Sequence, residues 1–271
     1  MPTPISQVFE RLKSENKLAF MPFVTAGDPD LDVTKDVIRA LGSSGVDLIE
    51  IGIPYSDPIA DGPVIQASYT RALDSGISVS GIFEALKDLK EEDLPPRIVM
   101  VSYAIIFRFG LDRFLEKCVD SGVAGLIVPD LPGEEAHEFY TQVHGFGLDL
   151  IQLVAPTTPR ERVKRILESC SGFVYTVAVA GTTGAREQVA GALLEQLEWL
   201  RQETELPLAV GFGISKPEHV EPLRKLAQGV IVGSAIVKFF QQIADGDLDR
   251  DAVIESVSAF STEMAEAAHS A

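Results

Sequence analysis

Glu50 lies inside the apolar run Val46-Asp-Leu-Ile-Glu-Ile-Gly-Ile53, where a buried strand ordinarily carries only Val, Ile or Leu. A carboxyl in that setting is costly to ionise, because desolvation disfavours the charged form and raises the pKa by up to about 3–5 units when burial is complete. A carboxyl that keeps its proton near neutrality is what general acid catalysis requires. Beyond the run, Gly52, Pro54, Pro58, Gly62 and Pro63 break any regular element, and the loop they shape carries Asp57 and Asp61 towards the same strand end. The pattern is one shielded carboxyl facing a loop carboxylate. Acidic residues in Pro/Gly loops commonly serve as turn or cap groups, and that reading competes for Asp57.

The elements that must hold these carboxyls repeat along the chain. Ile5, Val8, Phe9 and Leu12 recur at helical spacing within the first fifteen residues. Strand-length apolar runs follow near 18–24, 46–51, 97–101, 124–128, 148–153, 172–177, 206–210 and 229–232. Helical patterns separate them: from Asp30 or Asp32 to Gly42, then to Ser75-Gly76, and near 79–91, 110–121, 133–143, 159–168, 191–203 and 216–227. A short helix leaves the last strand, and a long one runs from about 249 to 267. Such alternation demands right-handed crossovers and a parallel sheet covered on both faces. Eight units with no linker between them favour one domain over residues 1–271, a single (β/α)8 TIM barrel with an extra N-terminal helix plugging its floor, over an open doubly wound sheet.

In a barrel, chemistry belongs at the C-terminal strand ends. Glu50, Tyr103, Asp130, Tyr175 and Thr183 are predicted there, together with glycine motifs after the last two strands. Gly211-Phe-Gly-Ile-Ser215 leaves the seventh strand, and Gly233-Ser-Ala-Ile-Val-Lys238 leaves the eighth into a helix. Glycines let backbone approach a ligand, and helix N-termini favour anions, so these two loops predict a phosphate site to which Gly181-Thr-Thr-Gly184 adds a donor. Backbone donors of this kind suit a protein without clustered lysines. Phe23, Met100, Leu153, Tyr175 and Phe212 are expected to line an apolar mouth that suits a flat aromatic group.

Composition removes other classes of function. The formal net charge of −17 opposes association with nucleic acid or an anionic membrane surface. Cys118 and Cys170 fall in helical patterns without clustered histidines, which argues for inert core thiols and against a disulfide framework or zinc site. His137, His144, His219 and His269 show no ligand spacing, so no metal centre is expected. Every lysine reads as a helix or loop position, which leaves no strand-end lysine for an imine. Without a membrane-length apolar run or a signal-peptide layout at the N-terminus, the expected location is cytoplasmic. What remains is acid–base work by carboxyls on a phosphorylated substrate.

In order and spacing, Pro22-Phe-Val-Thr-Ala-Gly-Asp-Pro29, the stretch from Glu50 to Pro63, Val128-Pro-Asp-Leu-Pro132, Gly181-Thr-Thr-Gly-Ala-Arg186 and the two later glycine motifs resemble the tryptophan synthase alpha subunit family across nearly the whole chain. The resemblance implies retro-aldol cleavage of indole-3-glycerol phosphate to indole and glyceraldehyde 3-phosphate. It implies Glu50 as proton donor and then acceptor, and Asp61 as the carboxylate that binds the indole N–H. Phe23, Tyr103, Tyr175 and Phe212 are expected as further substrate-binding residues. Thr183 would help close its loop, and Gly184, Gly213, Gly233 and Ser234 would hold phosphate. It further implies a beta subunit that uses pyridoxal phosphate, an alpha2-beta2 complex with Asp57 and Pro58 facing the partner, and no cofactor or metal in this chain. Ile105 stands where the family commonly has Asn, and Val179 where it often has Arg, both on the route to the partner. Alternatives are a stand-alone lyase that releases free indole and a silent barrel that only regulates a partner.

Overall fold

The computed structural model describes residues 2–58, 61–133, 135–177, 186–211 and 213–270, with the backbone alone described over 186–190. Eight parallel strands close on themselves in chain order. They are β1 (Ala19–Thr25), β2 (Ile49–Gly52), β3 (Arg97–Met100), β4 (Val123–Ile127), β5 (Asp149–Val154), β6 (Val174–Val177), β7 (Leu208–Gly211) and β8 (Gly229–Val232). Pairing of β1 with β8, Ala19 against Gly229 through Pro22 against Val232, seals the ring. All eight expected strands are present, with bounds shifted by at most three residues.

Helices cover the outside: α1 (Pro4–Ser14), α2 (Leu31–Gly42), α3 (Pro63–Asp74), α4 (Val79–Asp88), α5 (Tyr103–Phe109), α6 (Leu111–Asp120), α7 (Ala136–Gly145), α8 (Arg160–Leu167), α9 (Arg186–Glu203), α10 (Ser234–Ala244) and α11 (Arg250–His269). Their apolar stripes pack against the outward strand residues. The inward residues form a second core, Leu48, Ile98, Ile127, Ile151 and Phe173 among them. Ile5, Phe9 and Leu12 of α1 belong to that inner core, so the N-terminal helix plugs the barrel floor as its 3.6-residue pattern predicts. At the same end the buried Asp47 accepts bonds from the Phe20 N–H, Arg11 and His269, tying α1 and α11 to the strands.

Two expectations fail. The predicted helix over 216–227 is instead a pair of 3₁₀ turns, Pro217–His219 and Glu221–Leu223. Pro222 lacks the N–H a continuous helix would need there, and its ring would meet the preceding turn. Conversely, α5 was not expected, and its first residue is Tyr103. Ser102 and Asp130 cap it: Ser102 Oγ accepts from the Ala104 N–H, while Asp130 accepts from the Tyr103 N–H at 2.7 Å and from Ser102 Oγ at 2.6 Å. The cap comes from a residue twenty-seven positions away, which no local pattern reveals. The helix read from 191 begins earlier, at Arg186.

A buried clamp fixes α3, the helix that starts directly after Asp61 and Gly62. The Asp28 carboxyl, fully buried in the loop after β1, accepts from Arg71 Nε at 2.9 Å and Nη2 at 2.6 Å, and from Ser68 Oγ. Removing one partner of such a pair strands a charge in low dielectric. Arg71→Leu is therefore expected to lower unfolding free energy by on the order of 3 kcal/mol, the lower end for a buried pair because Arg71 keeps a solvent-exposed edge. Urea titration measures it, and a loss under about 1 kcal/mol would make the clamp dispensable.

Candidate active site

At the C-terminal end of the barrel lies a cavity of about 430 Å³. Glu50 and Asp61 line one side, with Phe23, Met100, Ile65 and Tyr175 around them, and Gly213, Ser215, Gly233 and Ser234 line the rest. Glu50 reaches it from the middle of β2, where Phe23 on β1 and Ile98 on β3 are its register partners. The strand fixes its direction, since residues alternate between barrel interior and helix layer. Glu50 is 3% exposed, and its Oε1 has no hydrogen-bond partner. Burial, reinforced by the nearby Asp61 charge, pushes its carboxyl up to about 8. At pH 7 it is a neutral acid.

Asp61 sits in the loop, half-buried, and the Tyr55 hydroxyl reaches its Oδ2 at 3.5 Å. Burial raises its carboxyl, and the Tyr55 bond opposes that rise. Gln66 donates to the Asp61 carbonyl at 2.8 Å and to the Pro58 carbonyl at 3.2 Å, so α3 also holds the loop backbone. The two acids therefore differ in environment, one dry and unpaired, the other partly solvated with a phenol donor. Divergent environments of this kind assign acid and base roles.

Across the cavity, Gly233 is the N-cap of α10 and contributes no side chain to it, and Gly213 takes φ +82°, a conformation that L side chains rarely adopt. Lys238 also lines the cavity, an exposed cation with no ion pair among the described residues. Sequence reading missed it as a site residue. The available signal was its position four residues after Ser234, which puts both on one face of α10.

Of the residues expected at the site, Phe23, Glu50, Asp61, Tyr175, Gly213, Gly233 and Ser234 come together. Tyr103 does not: it stands at the start of α5, its hydroxyl bonded to Glu135 and its ring edge-on to Phe139, away from the cavity lining. The unforeseen α5 turns it outward. Leu153 is likewise absent from the lining. Asp57 is exposed and Pro58 buried at the loop tip. Ile105 is half-buried against the helix layer. Thr183, Gly184, Val179 and Phe212 lie outside the described residues. Among the described residues no cluster of His, Cys, Asp or Glu has the makings of a metal site, and no helix is long and apolar enough to cross a membrane.

Residues 9–269 match the family model of the tryptophan synthase alpha chain. The chain belongs to that family. The tryptophan synthase alpha chain of Rippkaea orientalis is 44% identical over 98% of both chains, and that of Rhodopirellula baltica 48% identical over 87% of this chain and 86% of its own. Among solved structures, tryptophan synthase subunit alpha from Legionella pneumophila superposes with a TM-score of 0.88 at 33% identity over 98% of each chain. A ligand-free tryptophan synthase chain from M. tuberculosis gives 0.86 at 29% over 99% of this chain and all of its own. As a tryptophan synthase alpha chain the protein is a carbon–carbon lyase of tryptophan biosynthesis, cleaving indole-3-glycerol phosphate to indole and glyceraldehyde 3-phosphate. The expected fold and family both hold.

Proposed function

We propose that Glu50 and Asp61 perform the alpha reaction as a pair, within one barrel domain. Neutral Glu50 gives its proton to indole C3, and the ring becomes an electron sink with positive charge at its nitrogen. Asp61, ionised, accepts the indole N–H and stabilises that charge. Glu50, now a carboxylate, removes the proton of the adjacent glycerol hydroxyl. The C–C bond breaks as the carbonyl of glyceraldehyde 3-phosphate forms, and its electrons restore the indole. Phe23 and Tyr175 flank the ring, Gly184, Gly213, Gly233 and Ser234 take the phosphate end, and Thr183 helps close its loop and orient Asp61. Lys238 adds a positive charge there. The observation that carries this reading is a solvent-shielded, unpaired Glu50 sharing one cavity with Asp61.

A beta subunit completes the enzyme in this reading, in an alpha2-beta2 complex, and the pyridoxal phosphate belongs to it. The exposed Asp57 and Phe107, the latter 77% exposed on α5 at the mouth of the barrel, support a partner face on that side. The enzyme works in the cytoplasm.

The pH dependence of kcat/KM tests the pair. Glu50 must hold its proton, so activity is expected to fall above about pH 8. Asp61 must have lost its own, so an acid limb lies above the ordinary aspartate value of 3.8. A profile still rising through pH 9 would remove Glu50 as the acid.

A further inference from the structure

Among the described residues, three buried polar atoms near the barrel mouth lack any hydrogen-bond partner: Glu50 Oε1 and the hydroxyls of Thr25 and Tyr69. An unpaired buried group costs about 1–3 kcal/mol, so each calls for a reason. Tyr69 stands on the second turn of α3, 1% exposed, and its ring belongs to the core inside the barrel rather than to the helix layer. Its hydroxyl lies over Gly52, two residues beyond Glu50 on the same inward face of β2. A methyl at position 52 would come within 2.6 Å of that hydroxyl and 2.5 Å of the Phe23 ring, and Phe23 is the register partner of Glu50. The missing side chain at Gly52 thus makes room for a phenol beside the catalytic strand. Tyr55, packed on Tyr69 with ring centroids 5.5 Å apart, commits its own hydroxyl to Asp61. Tyr69 commits its hydroxyl to nothing.

We propose that Tyr69 is a positioning residue for proton transfer: its hydroxyl is idle while Glu50 is neutral, and donates to the Glu50 carboxylate once that group has protonated indole C3. A bond absent at rest and made as charge develops lowers the barrier without tightening substrate binding. The proposal rests on Glu50 being the acid. The other titratable groups on that side are Asp61 and Tyr55 from the loop after β2, Tyr175 from β6, and Lys238 from α10. The flanking strands present Phe23, Ile98 and Met100, none of which can donate a hydrogen bond, and Thr25, whose buried hydroxyl lies further along β1 as the register partner of Gly52. Among the described residues, Tyr69 carries the one phenol oxygen that is fully buried without a hydrogen-bond partner.

Tyr69→Phe keeps the ring and its packing. Because the hydroxyl makes no bond at rest, the variant is expected to melt at or above the temperature of the unaltered protein and to bind glyceraldehyde 3-phosphate as well. Its kcat should fall roughly 10- to 100-fold with KM within about twofold. The basic limb of its pH profile should move upward, since a carboxylate deprived of a donor holds its proton more tightly. An unchanged kcat or an unmoved basic limb overturns the proposal. So does a melting temperature several degrees lower, which would make the hydroxyl a structural bond. Glu50→Gln run in parallel separates the two claims: cleavage retained there removes the acid itself, whereas a dead Glu50→Gln beside a fully active Tyr69→Phe removes Tyr69 alone.

Discussion

Glu50→Gln is expected to cut kcat by at least about 10³-fold while glyceraldehyde 3-phosphate still binds. The amide matches the carboxyl in size and reaches the same cavity, but it has no acidic proton to give to carbon. The loss should fall on kcat, because Glu50 acts on the ring and not on the phosphate end. Stability should change in the opposite sense. The folded carboxyl holds its proton up to about pH 8, whereas the unfolded one releases it near 4.5. Between those values the native state binds more protons than the unfolded state, so stability falls as pH rises through the window and is flat below and above it. By pH 7 the cost is on the order of 3 kcal/mol, and Glu50→Gln removes that share of the slope. Steady-state assays and urea titrations at pH 4.5, 6 and 8 check both halves. Near-normal turnover, or a slope left undiminished by the substitution, would show that residue 50 is not a proton donor held neutral by burial.

The second largest effect is expected from Asp61→Asn, a fall in kcat of roughly 10²–10³-fold. An amide oxygen still accepts from the indole N–H, but it offers no negative charge against the cation that forms on the ring. The Tyr55 hydroxyl keeps an acceptor, so the loop should hold its place and KM should change little. The acid limb of the pH profile should disappear with the carboxyl. Kinetics unchanged from the parent would return Asp61 to the role of a loop residue that α3 merely anchors.

Much of this was legible before any coordinates. Glu50 stood out because a carboxyl in an apolar run violates strand chemistry, and that violation persists in three dimensions as an unpaired, buried acid. The eightfold alternation carried the ring, and the glycines at 213 and 233 carried one end of the cavity. Tyr103 lies off the cavity lining because its helix is capped by Asp130 from the next strand's loop, a tertiary contact with no local trace. The helix expected over 216–227 gives way to 3₁₀ turns because Pro222 cannot supply the N–H a continuous helix needs. Tyr69 carried no signal at all: in sequence it is one more apolar residue on an amphipathic helix, and only the bare Gly52 beneath it reveals where its hydroxyl lies.

The seam between Ala19 and Gly229 also sets a constraint on synthesis. The first strand's edge has no neighbour until the segment carrying β8 has left the ribosome, and α11, whose Ala268 carbonyl accepts from the Leu18 N–H, comes later still. Until then an apolar strand edge is exposed, and partners this distant in sequence make for slow folding. Completion of the ring is therefore a late event, and a nascent chain stalled before β8 has a sticky open sheet where the finished enzyme has none.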